Sequence, residues 1–241
     1  MIHRRQEGDV AVVTIDRPER RNAVDAEACR DLSAGLEAAV ADGSRCVVLT
    51  GAGGHFCAGA DLSGVEGADF RSALRALLDG LVATPVPVLA AVEGAALGAG
   101  TQLAIACDLR VAAATARFGI PAAKLGLMVD HWTVQRLALL AGHGPARAML
   151  LAADEVSGDD AVRLGLAQRA GGLAEALAWA ADIAALAPLT VAGHKLALTK
   201  LEPALADPDV DEAIRRVWSS EDRAEGQASF RERRPPRFKG W

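Results

Sequence analysis

The chain has 241 residues, of which 51% are hydrophobic and 24% are charged, and its formal net charge is −5. This composition excludes an intrinsically disordered chain, and the acidic balance gives no support for a nucleic-acid-binding protein. The length suits an α/β domain with a helical addition.

Short apolar runs alternate with helical patterns along the first half of the chain. Turn residues bound the apolar runs, which therefore predict strands at residues 11–15, 46–50, 86–92 and 109–113. Apolar residues recur at helical spacing between them, which predicts helices at residues 25–42, 72–82 and 101–107 with a loop at 63–72. Near-continuous apolar strands that alternate with helices indicate the α/β class.

After about residue 132 the strand signals nearly vanish. The stretch Ser157-Gly-Asp-Asp160 is typical of a helix start, and helical patterns continue to about residue 220. We therefore predict an α/β core over residues 1–187 and a C-terminal helical region over residues 188–241. The basic run "RERRPPRFKGW" at the C-terminus is compatible with a solvated tail, a subunit contact or a role with an anionic ligand.

The cysteines and the N-terminal segment indicate a reducing, cytoplasmic location. The four cysteines show no CxxC spacing and no paired histidines, so we expect buried thiols and no metal site. They are Cys29, Cys46, Cys57 and Cys107. The first nine residues lack an apolar signal region, and Glu93 interrupts the longest apolar run, so we expect no membrane insertion.

Two Gly-rich turns, "GAGGHFCAGAD" (51–61) and "ALGAGTQLA" (96–104), each come after a predicted strand. They lack the spacing of a dinucleotide fingerprint, a phosphate loop or a nucleophile elbow. Small residues before a helix expose backbone N–H groups, and two such turns could present two N–H groups to one oxygen. The alternatives are an oxyanion hole for a thioester carbonyl or a set of small residues that only permits tight packing.

Several motifs resemble the crotonase, or enoyl-CoA hydratase/isomerase, superfamily. They are "RPERRNA" (17–23), "HFCAGADL" (55–62), "VEGAALGAGTQLAIACDLRVAA" (92–113), "FGIPAAKLGL" (118–127), "QRLALLAG" (135–142) and the C-terminal "FRERRPPRFKGW". The resemblance runs in order through nearly the whole chain. It implies a spiral of ββα units with a C-terminal helical trimerisation region, assembly as a homotrimer or a dimer of trimers, and binding of coenzyme A thioesters, with no other cofactor.

The resemblance also implies ligand-binding residues. Two backbone N–H groups, those of Ala60 and Ala99, would hold the thioester oxygen, and Ala99 stands where the family commonly has glycine. The remaining coenzyme A positions would be Arg21, Ala23, Ala58, Asp61, Leu62, Phe238 and Lys239. For Asp61, a structural cap is an equal alternative.

The chain departs from the family at the two glutamates with which hydratases activate water. Gln102 and Ala122 stand at those positions. A positioned general acid or base contributes roughly 10²–10⁴-fold in rate, and neither an amide nor a methyl group can take a proton from water.

Asp130 aligns with a position at which some isomerases and a dehalogenase of the family have a working aspartate. We consider catalysis, ligand shaping and a purely structural role for it. The neighbouring His131 and Trp132 would line an acyl pocket or serve ordinary packing. We expect Glu93 to make a surface or subunit contact.

Three functions remain open from the sequence. The first is an acyl-CoA or enoyl-CoA binder with little or no hydratase activity, acting as a carrier or sensor in lipid metabolism. The second is an active enzyme of the family that uses Asp130 as its acid or base. The third is an interaction protein without a ligand.

Overall fold

The computed structural model describes residues 1–61, 68–201 and 208–239. Its strands are β1 (Ile2–Glu7), β2 (Val10–Ile15), β3 (Cys46–Gly51), β4 (Val88–Val92), β5 (Ala95–Leu97), β6 (Leu109–Ala112), β7 (Arg117–Gly119), β8 (Glu155–Ser157) and β9 (Arg169–Ala170). Its α-helices are α1 (Ala26–Ala41), α2 (Ala68–Ala83), α3 (Ala99–Ala106), α4 (His131–Ala141), α5 (His143–Arg147), α6 (Gly158–Leu164), α7 (Leu173–Ala184), α8 (Pro188–Thr199), α9 (Pro208–Ser219) and α10 (Glu221–Glu232).

A six-stranded sheet in the order β1-β2-β3-β4-β6-β9 forms the framework. β1 pairs antiparallel with β2, and every later neighbour in this sheet is parallel. The parallel strands are buried because helices connect them, which explains their continuous apolar runs. A smaller sheet has the order β5-β7-β8. The predicted α/β class is confirmed.

α7 covers one face of the large sheet with alanines. Ala176, Ala180 and Ala184 recur every four residues and pack against buried strand residues that include Val48 and Leu89. Alanine at this spacing lets the helix approach the sheet closely, because no long side chain separates them.

Helix ends follow the sequence closely where a capping side chain exists. The Asp25 side chain accepts the Ala28 N–H at the start of α1. The Ser157 side chain accepts the Asp160 N–H at the start of α6, as the Ser-x-x-Asp pattern predicts.

The structure adds elements that the sequence analysis missed. β1, β5, β7, β8 and β9 were not predicted, and α2 begins at Ala68, within the range predicted as a loop. The rest of that predicted loop, residues 63–67, lies outside the described residues.

The chain forms two compact units. Unit 1 contains residues 1–118 and 157–202, and unit 2 contains residues 119–156 and 203–241. α8 belongs to unit 1, where the buried Lys195 ammonium donates to Asp108 Oδ2 (2.8 Å), Val86 O (3.0 Å) and Leu81 O (3.1 Å). This division does not fall at residue 187, and the predicted boundary there stays a prediction.

Among the described residues, no single helix is long and apolar enough to cross a membrane, whereas α7 and α8, bent by 110°, pass that test only as a pair.

Candidate functional site

The two Gly-rich turns lie side by side in unit 1. We call residues 51–61 the first turn and residues 93–99 the second turn. Cys57 exchanges two backbone hydrogen bonds with the second turn, from its N–H to Ala95 O (2.8 Å) and from the Leu97 N–H to its carbonyl oxygen (3.0 Å). The turns are therefore paired as neighbouring backbone segments.

Glycines permit the close approach of the two turns. A Cβ built on Gly98 would lie 3.9 Å from the Cα of Gly59, and one built on Gly59 would lie 3.0 Å from Leu97 O. Both residues have positive φ, +54° for Gly98 and +118° for Gly59, which other residues rarely adopt. A Cβ on Gly100 would fall well inside van der Waals distance of Cys57 O.

The residues that follow Gly59 and Gly98 are Ala60 and Ala99. Ala60 forms an isolated bridge with Val24, and Ala99 is the first residue of α3. Over residues 1–61, 68–201 and 208–239, neither the Ala60 N–H nor the Ala99 N–H donates to a protein acceptor. Ala99 is buried and Ala60 is half-buried. A buried N–H group without an acceptor is costly, by about 1–3 kcal/mol, so the Ala99 N–H in particular favours an acceptor from a ligand.

Ala99 tolerates its Cβ because its backbone is helical and its φ is not positive. The dihedral condition for replacing the family's glycine is therefore met at this position. The N-cap residue Gly98 provides no side-chain cap, so the helix N-terminus and its positive dipole end remain open to a ligand.

Both ends of α3 are fixed. At the N-terminal end, Thr101 Oγ1 donates to Ala96 O (2.6 Å). At the C-terminal end, the guanidinium of Arg110, 1% exposed, donates to Ala104 O (3.1 Å) and Cys107 O (2.7 Å). A cation at the C-terminal carbonyls is favourable because the negative end of the helix dipole lies there.

Gln102 lies in the first turn of α3, in the same unit as Ala60 and Ala99. Its side chain is 8% exposed, and its N–H donates to Gly98 O (3.1 Å). The amide thus occupies a buried position close in sequence to the open helix terminus.

The coenzyme A positions predicted near the N-terminus also gather in unit 1. The Ala58 N–H donates to Arg21 O (2.9 Å), which joins the first turn to the "RPERRNA" segment. Arg21 is exposed with φ +49°, Ala23 is half-buried, and Asp61 is 9% exposed. Leu62 lies outside the described residues.

Arginines hold the Asp61 carboxylate. Asp61 forms ion pairs with Arg20 and, at 3.4 Å, with Arg17. Arg17 also binds Asp25 at 2.8 Å. Burial opposes ionisation of Asp25, but the hydrogen bond from the Ala28 N–H and the Arg17 guanidinium outweigh it, so the pKa of Asp25 is lowered from its usual value. The sequence analysis did not single out Arg17.

Asn22 and His55 are further residues that the sequence analysis did not assign a role. Asn22, 0% exposed, donates from Nδ2 to Ala52 O (2.7 Å) and His55 O (2.5 Å) and accepts the Arg17 N–H (2.9 Å). The His55 Nδ1 atom accepts the Ala95 N–H (3.1 Å). A signal for Asn22 was present in the motif "RPERRNA", because asparagine tolerates the left-handed conformation found here, φ +61°.

Glu93 makes contacts within its own chain, and the surface or subunit contact expected from the sequence stays a prediction. Its side chain accepts the Leu173 N–H (3.1 Å) at the start of α7, where the N-cap residue Gly172 offers no side chain. Its backbone oxygen accepts the Phe56 N–H (2.8 Å). Glu93 therefore joins α7 to the first turn.

Unit 2 holds the other predicted positions. Ala122 is half-buried in the 3-10 turn Pro121–Leu125. Asp130 is the N-cap of α4, where its Oδ1 accepts the Thr133 N–H (2.9 Å) and the Thr133 hydroxyl (2.5 Å). This geometry gives Asp130 a structural role.

The predicted pocket residues follow Asp130 directly in α4. The ring Nε2 of His131 lies 2.9 Å from the Gln135 side-chain nitrogen, and Trp132 is 6% exposed. The Trp218 indole N–H donates to Met128 O (3.2 Å) and so fixes the loop that precedes Asp130. The sequence analysis did not identify this contact.

The C-terminal segment lies along α10 of its own chain. The Lys239 N–H donates to Asp222 Oδ1 (2.6 Å), and its ammonium lies 3.4 Å from Glu221. Arg234 forms a two-fold ion pair with Glu225, whose pKa it lowers to about 2, chiefly through this hydrogen bond. Phe238 is 42% exposed.

The cysteines offer no nucleophile. All four are buried and none forms a disulfide bond, and burial raises the pKa of the Cys29, Cys46 and Cys57 thiols to about 12. Such thiols stay protonated near neutral pH and behave as small apolar groups. Among the described residues, no group of three or more histidine, cysteine or acidic residues could hold a metal ion.

Comparisons with known proteins identify the family. The family model described as enoyl-CoA hydratase/isomerase matches residues 5–241. The chain is 45% identical over 235 residues to the "Probable enoyl-CoA hydratase echA6" of Mycobacterium tuberculosis (strain CDC 1551 / Oshkosh), covering 95% of this chain and 96% of the relative.

Solved structures share the fold over the whole chain. A methylmalonyl-CoA decarboxylase in complex with 2-nitronate-propionyl-CoA is 25% identical with a TM-score of 0.92, covering 100% of this chain and 98% of that one. An enoyl-CoA hydratase from Mycobacterium avium subsp. paratuberculosis K-10 is 28% identical with a TM-score of 0.86, covering 99% and 98%.

Proposed function

Because the chain belongs to the enoyl-CoA hydratase/isomerase family, we propose that it binds a fatty acyl-CoA or enoyl-CoA thioester with little or no hydratase activity. The observation that carries this proposal is the pair of N–H groups, of Ala60 and Ala99, that lack an acceptor among the described residues of two adjoining turns. A thioester oxygen would satisfy both, and the dipole of α3 would favour negative charge on it.

The second half of the proposal concerns the missing acids. Gln102 and Ala122 stand at the positions where hydratases of the family have glutamates. Without a group that can take a proton from water, an oxyanion hole polarises the thioester but does not complete hydration. The proposed role is therefore to carry, sense or hand over the thioester.

The test measures affinity and turnover on one preparation. We expect calorimetry to detect binding of acyl-CoAs of different chain lengths, and we expect hydration of crotonyl-CoA and longer enoyl-CoAs to be at background level. Turnover at an ordinary enzymatic rate would refute the carrier role, and absence of binding would refute a ligand altogether. Gain of hydration in the double variant Gln102→Glu/Ala122→Glu would demonstrate that only the acids were missing.

The alternative is an active enzyme that uses Asp130 as its acid or base. The capping hydrogen bonds from Thr133 engage the Asp130 carboxylate, which lends this alternative less support. The variant Asp130→Asn tests it cleanly, because asparagine is an equally good N-cap but cannot take up a proton. Loss of turnover with unchanged acyl-CoA affinity would favour the enzyme.

We also propose assembly as a homotrimer or a dimer of trimers, as the resemblance implies. Large apolar side chains on α8 support an interface, because Leu189 is 88%, Leu198 66% and Leu196 60% exposed in the single chain. Analytical ultracentrifugation gives the mass directly, and a monomer at micromolar concentration would contradict this assembly.

A further inference from the structure

Within the part of the chain that the structure describes, the His55 side chain forms a hydrogen bond between the two turns that carry the Ala60 and Ala99 amides. The first and second turns are otherwise paired by backbone hydrogen bonds, which involve Phe56, Cys57 and Leu97. His55 adds a side-chain contact, because its Nδ1 accepts the N–H of Ala95 at 3.1 Å. A substitution can remove this contact while it leaves the backbone pairing unaltered.

The Ala95 peptide is held from both sides by the first turn. Its carbonyl oxygen accepts the Cys57 N–H (2.8 Å), and its N–H donates to His55. Ala95 is 0% exposed, so water cannot replace a lost acceptor unless the chain moves. Ala95 precedes Ala99 by four residues, and a displacement here would be transmitted to the start of α3.

The His55 residue is itself fixed. Its backbone oxygen accepts a hydrogen bond from the buried Asn22 side chain (2.5 Å). Its imidazole lies against the second turn with no spare room, since a Cβ on Gly94 would be 2.6 Å from Nδ1. A backbone N–H can only donate, so Nδ1 is the acceptor in this hydrogen bond.

We propose that His55 is a positioning residue that sets the separation and direction of the Ala60 and Ala99 N–H groups. It contacts neither the ligand nor the reacting atoms and acts through the Ala95 amide. This inference rests on the proposed function, since the two N–H groups matter only if they bind one oxygen.

The variants His55→Ala and His55→Asn separate positioning from general packing. Alanine removes the acceptor, whereas asparagine keeps an acceptor oxygen on Cγ, where Nδ1 is attached. If the alanine variant does not fold, His55→Gln replaces it, because its oxygen lies one bond farther out. The exposed His143 provides the matched control His143→Ala.

The first readout needs no ligand. We expect amide exchange of Ala95 to accelerate by roughly tenfold or more in His55→Ala. In nitrogen-15 spectra, the Ala60 and Ala99 amide resonances should move in His55→Ala and return in His55→Asn. Unmoved Ala60 and Ala99 resonances in His55→Ala would overturn the inference, whatever the protein binds.

The second readout uses octanoyl-CoA with a carbon-13 thioester carbonyl. We expect affinity to fall about fivefold in His55→Ala, as for one weakened hydrogen bond, and the infrared carbonyl stretch to move to higher wavenumber. Both should recover in His55→Asn and stay unchanged in His143→Ala. If affinity and carbonyl stretch are unchanged in His55→Ala, the positioning role is refuted. If the unaltered protein does not bind octanoyl-CoA, the proposed function is refuted, and the amide resonances alone decide on the role of His55.

Discussion

The substitution Ala99→Pro deletes one backbone N–H without disrupting its helix. Ala99 is the first residue of α3, where proline is favoured because its fixed φ fits a helix and no N–H is needed for helix bonding. The residue before a proline is restricted, but here it is Gly98, which has no Cβ to clash. The variant therefore removes one proposed donor of the oxyanion hole and places the proline Cδ where its hydrogen was.

The expected magnitude follows from the hydrogen bonds of Ala99. Its N–H has no protein acceptor among the described residues, so the folded state loses no hydrogen bond and stability should change by less than about 1 kcal/mol. A bound thioester oxygen would lose one neutral hydrogen bond, net about 0.5–1.5 kcal/mol. That is about a two- to tenfold weaker affinity. If the protein is an enzyme, turnover should fall by about 10²–10³-fold.

Calorimetry with octanoyl-CoA measures the affinity, and urea unfolding measures the stability. Ala26→Pro is the matched control, because Ala26 is likewise the first residue of a helix, α1, whose cap Asp25 binds the Ala28 N–H. The control should leave both quantities nearly unaltered. If the folded Ala99→Pro variant has the same affinity and the same infrared carbonyl stretch as the unaltered protein, the assignment of Ala99 as a donor is refuted.

Four further predictions concern stability and reactivity. Asn22→Ala removes three hydrogen bonds to backbone groups and leaves alanine at φ +61°, a left-handed conformation that asparagine tolerates better. The free energy of unfolding in urea should therefore fall by about 3–4 kcal/mol, and a loss below about 1 kcal/mol would contradict this. Lys195→Met leaves Asp108 without its ammonium partner and should cost about 3 kcal/mol, whereas a neutral effect in the same assay would show that the pair contributes no net stability. Because burial raises the pKa of Cys57 to about 12, its thiol should react with iodoacetamide at pH 8 far more slowly than a free thiol, and rapid labelling of the folded protein would refute its burial. An unfolded cysteine ionises above its pKa of about 8.5, whereas the buried Cys57 thiol stays protonated up to about 12. Urea unfolding should therefore show full stability below about pH 8.5 and a decline from there towards pH 12.

The central strands were predictable because each is a run of consecutive apolar residues. β3 and β4 are buried on both faces, and their apolar runs stand out from the flanking turns. β1 has the polar sequence "IHRRQE" and is largely exposed at the sheet edge. Its strand exists because β2 pairs with it, and no pattern within its own six residues reports that pairing.

The site was predictable only where neighbouring residues in the sequence mark it. Glycines marked both turns, and the helix predicted from Thr101 begins two residues earlier, at Ala99. The contacts of Asn22 with Ala52 and His55, and of His55 with Ala95, join residues about 30–40 positions apart, so local periodicity does not predict them. Asp130 is the opposite case, because its side chain caps the N–H of Thr133, only three residues further along the chain, and this contact depends on local sequence.

Arg110 has a consequence for the thermodynamics of ligand capture. A short helix held by a guanidinium at one end and by Thr101 at the other has little freedom left to lose. Ordering a loop or helix on association normally consumes part of the interaction free energy. Here that ordering accompanies folding instead, so the amide of Ala99 is already aimed before any ligand arrives.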